Sequence, residues 1–159
     1  MQQTLLDIDL RTLNLKHPPI FNKDDHSKYV NDWRGQYKGQ AAAILKPINT
    51  DEVSAILRFA HKNNVDVVPQ GGNTSLCGAA TPDNSGRSII ISLEKMNNIR
   101  QFNKAAQTIT VESGMVLSQI HEIVENENLF FPLSLGAKGS CMIGAVSYTH
   151  LTLPTNREV

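Results

Sequence analysis

Apolar positions in the first half of the chain predict a strand, a helix and a second strand. Residues 41–45 (AAAIL) form a short apolar run that stops at a Lys-Pro pair, as a buried strand does. Thr50 is the expected N-cap of a helix that ends near Asn64. The core-facing stripe of this helix, at i, i+3, i+4, i+7 spacing, consists of Val53, Ile56, Leu57 and Ala60. Residues 65–68 then predict a strand that runs into proline.

The second half of the chain contains further strand and helix patterns. Residues 88–92 (SIIIS) form a continuous apolar run, and residues 107–112 (QTITVE) alternate polar and apolar, so both predict strands. A second amphipathic helix is marked by Met115, Leu117, Ile120, Ile123 and Val124. Residues 1–38 are mostly polar and are interpreted as a lead segment. The order βαβ, then β, β, α predicts an α+β domain with mixed sheets and flanking helices.

Composition changes this picture little but excludes several classes of function. The 159 residues suit a single domain, and 40% of them are apolar, as in an ordinary globular protein. Fifteen Lys and Arg balance 15 Asp and Glu, so the chain lacks the basic surface of a nucleic-acid binder. No run approaches the roughly 18 apolar residues that a transmembrane helix requires.

Cysteine and histidine spacing predicts neither a disulfide framework nor a metal site. Cys77 and Cys141 are far apart and form no CxxC pair, which suits a reducing compartment. The five histidines show no metal-ligand spacing. We therefore expect a cytoplasmic location, with no secretory signal in the first residues.

The C-terminal segment Val146–Val159 looks foreign to the rest of the chain. Its residues 146–155 (VSYTHLTLPT) match one reading frame of a transposon-end sequencing adapter. Such a segment is excluded from fold reasoning. Ala145 is therefore expected to be about the last native residue, which makes the domain C-terminally truncated.

A glycine loop after the second strand carries the strongest chemical signal. In PQGGNTS (69–75) two consecutive glycines follow a strand, and glycine lets a ligand approach the main chain closely. Successive free N–H groups in such a turn form a concave anion site, which suits a pyrophosphate. An ordinary turn is the alternative, since Gly-Gly-Asn is also a common turn sequence. Neither GxGxxG nor GxxxxGK[ST] is present.

Three blocks of sequence resemble the FAD-binding domain of vanillyl-alcohol-oxidase-type (PCMH-type, or FAD-binding type 4) flavoproteins. They are DWRGQYKGQAAAILKP (32–47), DVVPQGGNTSLCGAATP (66–82) and PLSLGAKGSCMIG (132–144). Bacterial D-2-hydroxyglutarate and D-lactate dehydrogenases look most similar. The resemblance implies that residues 39–145 form an incomplete FAD-binding domain after the lead.

The resemblance also implies which residues contact FAD. The first loop, which wraps the pyrophosphate in the family, corresponds to Pro69, Gln70, Gly71, Gly72, Asn73, Thr74 and Ser75. The family usually has glycine where Ser75 stands. A second loop meets the flavin in the family, and the matching residues are Pro132, Leu135, Gly136, Gly139, Ser140, Ile143 and Gly144. A loop rich in N–H donors can stabilise the charge of a reduced flavin.

The position that forms a covalent flavin bond in some relatives is Asn73 here rather than histidine, so FAD is expected to be non-covalent. Cys77 is interpreted as a small loop residue. Arg34 is expected to face either the ligands or a salt bridge. His61 and His121 are expected to be solvated, so no residue is assigned as catalytic.

The resemblance implies a fragment of an FAD-linked dehydrogenase that transfers a hydride from a D-2-hydroxy acid, of 2-hydroxyglutarate or lactate type, to FAD. The substrate and any metal would be bound by a C-terminal half that this sequence lacks. Two alternatives stay open: UDP-N-acetylenolpyruvylglucosamine reductase, and an FAD-binding electron-transfer subunit without a catalytic half. The sequence identifies neither the hydroxy acid nor the electron acceptor.

Overall fold

The computed structural model describes residues 9–146. Residues 9–11 are helical, and a 3₁₀ turn, Lys23–His26, leads into helix α1. The numbered helices are α1 (Ser27–Val30), α2 (Thr50–Asn63), α3 (Leu117–Glu125) and α4 (Ile143–Val146). Its strands are β1 (Ala43–Leu45), β2 (Val67–Gln70), β3 (Ile89–Ser92), β4 (Ile99–Asn103) and β5 (Thr108–Val111). Val146, where the predicted foreign tail begins, ends α4, and the rest of that tail lies outside the described residues.

A three-stranded parallel sheet forms the centre of the fold, in the order β1-β3-β2. Ile44 of β1 and Val68 of β2 both lie opposite Ile90. Because β3 is the middle strand, all four of its residues are buried, which explains its unbroken apolar sequence. The strands run in the same direction, so the chain leaves all three at one edge of the sheet, through Lys46, Gly71 and Leu93.

Helix α2 connects β1 to β2, and its N-cap lies one residue before the predicted position. The N-cap is Asn49, whose side-chain oxygen accepts a hydrogen bond of 2.9 Å from the N–H of Glu52. Thr50 is instead the first helical residue, because Asn49 has the extended backbone that a cap requires. The buried stripe is narrower than predicted, since Leu57 is 46% exposed while Ile56 is fully buried.

The predicted lead segment contributes residues to the core. Leu10 is fully buried and packs against the β1 and β3 side chains. Tyr29 of α1 packs with Ile44 and Ile90 on the other face of the sheet. Ile20 forms an antiparallel bridge with Ile44 along the outer edge of β1. The segment before residue 39 is therefore physically continuous with the sheet.

A two-stranded antiparallel sheet, β4 and β5, packs against α3. Strand β4 was not predicted, because its sequence IRQFN has apolar residues only at Ile99 and Phe102. That spacing does not alternate, and the structure shows why: the register shifts between Ile99 and Gln101. A bulge re-aims the side chains of a strand, so periodicity fails there. Helices and mixed sheets together confirm the predicted α+β class.

No helix among residues 9–146 is long and apolar enough to cross a membrane.

Candidate functional site

The first glycine loop, residues 71–76, leaves β2 at the carboxyl edge of the parallel sheet. Ligands of open parallel sheets commonly bind at this edge. Within residues 9–146, the main-chain N–H groups of residues 71–75 donate no hydrogen bond. The loop residues Gly71–Ser75 are partly exposed. A consecutive run of accessible donors is the arrangement that binds an anion such as a pyrophosphate.

Asn73 gives the loop its turn. Its φ of 53° lies in the left-handed region, which Asn tolerates better than most residues, whereas Gly72 does not have a positive φ. The side-chain Nδ2 of Asn73 donates to the main-chain oxygen of Asn31 at 2.7 Å and of Lys28 at 3.3 Å. The loop is thus fastened to the end of α1 by a side chain.

Gln70, the last residue of β2, lies beneath the loop. It is 2% exposed, and its Nε2 donates to the main-chain oxygens of Tyr29 and Ala80, both at 2.8 Å. Both amide protons are therefore used inside the protein. In this arrangement the side-chain amide of Gln70 has no N–H left to donate to a cofactor.

The second glycine loop, residues 132–144, packs directly against the first. A Cβ placed on Gly72 would lie 1.9 Å from the main-chain oxygen of Ser140. A Cβ on Gly71 would lie 3.0 Å from the Cβ of Ala145. The structure thus brings together the two loops that the sequence analysis assigned to one site, and it requires glycine at position 72 for their contact.

The second glycine loop has one anchored end and one open turn. At the anchored end, the N–H groups of Ile143 and Gly144 donate to Met115 and Ser113, at 2.8 and 2.9 Å. A Cβ on Gly144 would lie 2.4 Å from the Cβ of Ser113. In the turn, a Cβ on Gly136 or Gly139 would meet nothing within 4 Å. Packing therefore explains the glycine at 144 but not those in the turn.

His121 contacts the first residues of the second glycine loop. Its Nε2 lies 2.8 Å from the main-chain oxygen of Leu133, and its ring centroid lies 6.0 Å from that of Phe131. The prediction that His121 is solvated was therefore wrong: it is half-buried. Spacing within the helix could not reveal this contact, because the partner lies outside α3. His61 is exposed, as predicted.

An ion-pair cluster that the sequence analysis missed lies at the same sheet edge. Lys46 follows β1 and places its Nζ 2.9 Å from Glu94 Oε1, while the hydroxyl of Tyr29 donates to the same oxygen at 3.1 Å. Burial raises the pKa of Glu94, but the bonds and charges of Lys46 and Lys28 outweigh it and lower the pKa. The signal was positional: Lys46 is the first residue after β1, and Glu94 is the second residue after β3.

The two cysteines differ in environment. Cys77 is exposed beside the first loop, and the Ser75 hydroxyl, 3.2 Å from its sulfur, lowers the pKa of the thiol. Burial raises the pKa of Cys141. Arg34 is exposed, and among residues 9–146 it forms no ion pair.

The chemistry of the two loops fits FAD. The donors of residues 71–75 match the negative pyrophosphate, and the open turn of the second loop leaves its main chain accessible to a ring. Within the described part of the chain, no group of three or more His, Cys, Asp or Glu residues could hold a metal ion.

Known proteins agree with this geometry. The profile of the FAD binding domain family matches residues 41–152, which extends past Ala145 into the predicted tail. The solved structure of an alkyldihydroxyacetonephosphate synthase matches with a TM-score of 0.76 over 87% of this chain and 27% of that one, at 20% identity. At that identity the likeness shows the fold, and it confirms the predicted FAD-binding fold.

Two curated relatives have higher identity. A rice protein (Oryza sativa subsp. indica) assigned as a mitochondrial D-2-hydroxyglutarate dehydrogenase is 45% identical over 126 residues, 79% of this chain and 22% of the relative. A Schizosaccharomyces pombe protein assigned as a mitochondrial D-lactate dehydrogenase is 39% identical over 118 residues, 74% of this chain and 22% of the relative. The chain thus spans about a fifth of the length of these relatives.

The names of these relatives overturn the expected cytoplasmic location, because both are mitochondrial proteins. The expectation rested on cysteine usage in the folded domain. A mitochondrial address lies in a separate transit segment, so the composition of the domain does not report it.

The family match covers most of the chain, and the paired glycine loops supply the chemistry that the family requires. The chain belongs to the FAD binding domain family, and FAD is its cofactor.

Proposed function

We propose that this chain is the FAD-binding part of a dehydrogenase that oxidises a D-2-hydroxy acid. The main-chain N–H groups of residues 71–75, which have no acceptor among residues 9–146, are packed against the second glycine loop, and this is the observation that carries the proposal. The names of the rice and fission-yeast relatives support a substrate of the 2-hydroxyglutarate or lactate type.

The residues of the chain bind and orient the cofactor. The main chain of residues 71–75 holds the pyrophosphate, with the Thr74 hydroxyl as a further donor. The turn from Leu135 to Ser140 lies against the flavin. Its N–H groups at Gly136, Ala137 and Gly139, together with the Ser140 hydroxyl, can stabilise negative charge there. The N–H groups of Lys138 and Ser140 instead donate to main-chain oxygens within the turn. Pro69, Pro132 and the anchored residues Ile143 and Gly144 support the loops rather than supply donors.

Bound FAD supplies the acceptor for the hydride that leaves C2 of the hydroxy acid. We assign the group that takes the hydroxyl proton to the part of the protein outside this chain. His61 is exposed on α2, and the ring of His121 is hydrogen-bonded to the main-chain oxygen of Leu133. The substrate is held in that same part. The chain described here therefore contributes the redox cofactor and not the catalytic base.

Anaerobic reduction of the flavin tests the activity. The full-length protein carrying this domain should lose its oxidised flavin absorbance when mixed with D-2-hydroxyglutarate or D-lactate, whereas the L-enantiomers should leave it unchanged. Loss of absorbance with NADPH, followed by reoxidation with UDP-N-acetylenolpyruvylglucosamine, would instead establish the reductase alternative. A flavin that no hydroxy acid reduces would contradict the proposal and favour the electron-transfer alternative.

We further propose that FAD is held without a covalent bond. The Asn73 amide cannot form the flavin–histidine bond, and its Nδ2 is bonded to Asn31 and Lys28. Acid precipitation of the purified yellow protein should therefore leave the flavin in the supernatant. Colour that remains in the washed precipitate would contradict non-covalent binding.

A further inference from the structure

Two side-chain amides connect the first glycine loop to the end of α1. The last carbonyls of a helix lack partners within the helix. Here the main-chain oxygens of Tyr29, Lys28 and Asn31 accept hydrogen bonds from Gln70 and Asn73. The helix end and the loop therefore satisfy each other, although they lie far apart in sequence.

We propose that Gln70 and Asn73 are positioning residues: they fasten the loop to α1 through their side chains and so leave its main-chain N–H groups free for the pyrophosphate. This inference rests on the proposed function of the loop. It assigns to these two residues a role different from cofactor contact, which the sequence resemblance had implied for both.

The use of side chains is what makes the arrangement effective. Each amide nitrogen has two protons, and each of the two side chains, Gln70 and Asn73, has two main-chain oxygen acceptors that account for both protons. If main-chain N–H groups made these bonds, they would be lost to a ligand. The left-handed backbone of Asn73 also turns the chain at the middle of the donor run, between Gly72 and Thr74.

Two substitutions remove the tethers with little change in shape. Asn73→Gly permits the same positive φ but has no amide, and Gln70→Met keeps a side chain of similar length that has no donor. Ile56→Val, on the buried face of α2, is the matched control, because it should lower stability at a position remote from the loop. All variants are made in the full-length protein carrying this domain.

The measurements are the dissociation constants of the apoprotein for FAD, ADP and riboflavin. ADP carries the pyrophosphate without the flavin, and riboflavin carries the flavin without the pyrophosphate. Each tether variant should bind FAD and ADP about tenfold more weakly, since a factor of ten corresponds to the loss of a hydrogen bond or two. Its affinity for riboflavin should equal that of wild type. Ile56→Val should lower the melting temperature and leave all three affinities unchanged.

The outcomes separate this inference from the proposed function. If ADP does not bind wild type, the loop does not hold the pyrophosphate and the proposed function of the loop is wrong. If ADP binds wild type and both tether variants equally, the loop function stands and the positioning role is wrong. A parallel fall in riboflavin affinity would also overturn it, because the side chains would then act only through general stability.

Discussion

The two glycine loops use glycine for different reasons. In the first loop, Gly72 lies against the main chain of Ser140, where a Cβ would approach to 1.9 Å. In the turn of the second loop, Gly136 and Gly139 have open space where a Cβ would lie. Packing within the protein therefore requires glycine at position 72. No contact among residues 9–146 requires glycine at positions 136 and 139, and glycines without such a contact are expected where a ligand approaches the main chain closely.

This difference means that the same substitution should act through different free energies at the packed glycines, Gly72 and Gly144, and at the open glycines, Gly136 and Gly139. Removing a glycine that packing requires should lower the stability of the apoprotein and the affinity for FAD together. Removing a glycine in open space should leave the folded apoprotein intact and lower only the affinity for FAD. The predictions below test this separation, beginning with the largest expected effect.

Gly72→Val should have the largest effect. Its side chain would collide with Ser140 and force the two loops apart, so FAD affinity should fall more than about 100-fold, a loss above roughly 2.7 kcal/mol. Flavin fluorescence titration of the full-length protein measures this affinity. Gly71→Ala is the neighbouring control, because its Cβ would meet side chains rather than main chain: Ala145 at 3.0 Å and Met142 at 3.4 Å. Wild-type affinity in Gly72→Val would remove the main physical support for the site.

Gly144→Ala should act mainly on stability. The added methyl would lie 2.4 Å from the Cβ of Ser113, and overpacking of this kind costs about 1–3 kcal/mol. Urea unfolding of the apoprotein measures the change in the free energy of unfolding. An unchanged midpoint would mean that the anchored end of the second loop relaxes freely.

Gly139→Ala should show the opposite behaviour. The free energy of unfolding of the apoprotein should change by less than about 0.5 kcal/mol, as for a surface substitution. FAD affinity should nevertheless fall, by about tenfold, because the methyl would occupy space that we assign to the flavin. Equal FAD affinities of Gly139→Ala and wild type would place the flavin elsewhere.

Cys77→Ser should have the smallest effect, a change in FAD affinity of less than about twofold, since serine is close to cysteine in size. The thiol itself provides a second measurement. Because the Ser75 hydroxyl lowers the pKa of Cys77, more thiolate is present near neutral pH than in an ordinary cysteine. Ser75→Ala should therefore slow alkylation by iodoacetamide below the ordinary thiol pKa, and the two rates should converge at high pH. Equal rates at pH 7 would show that Ser75 does not activate the thiol.

The sequence predicted the elements whose surroundings are the same along their whole length. Strand β3 contains three consecutive isoleucines because both of its faces are covered, so the sequence alone identifies it as a buried strand. Strand β4 was missed because a bulge breaks its alternation next to Ile99. The N-cap was misplaced by one residue because Asn49 and Thr50 are both good capping residues, and only the backbone conformation separates them.

For the site, the sequence located the loops but not how they are held. The Gly71-Gly72 pair marks the first loop locally, and the family resemblance supplied the second. The partners of Gln70 and Asn73 lie about 40 positions earlier in the chain, at 41 and 42 residues' separation from Tyr29 and Asn31. No periodic pattern encodes such a long-range contact, and the resemblance implied only that Gln70 and Asn73 contact FAD.

The bridge between Ile20 and Ile44 bears on where the domain can be cut. The family match starts at residue 41, but Ile20 and Ile44 exchange hydrogen bonds of 2.9 and 3.0 Å along the outer side of β1. A chain trimmed to start at residue 41 would expose these groups as an open strand edge, and it would also uncover the core that Leu10 fills. Open edges pair with other chains and promote aggregation. The segment before the family match thus protects the sheet from association with its own copies.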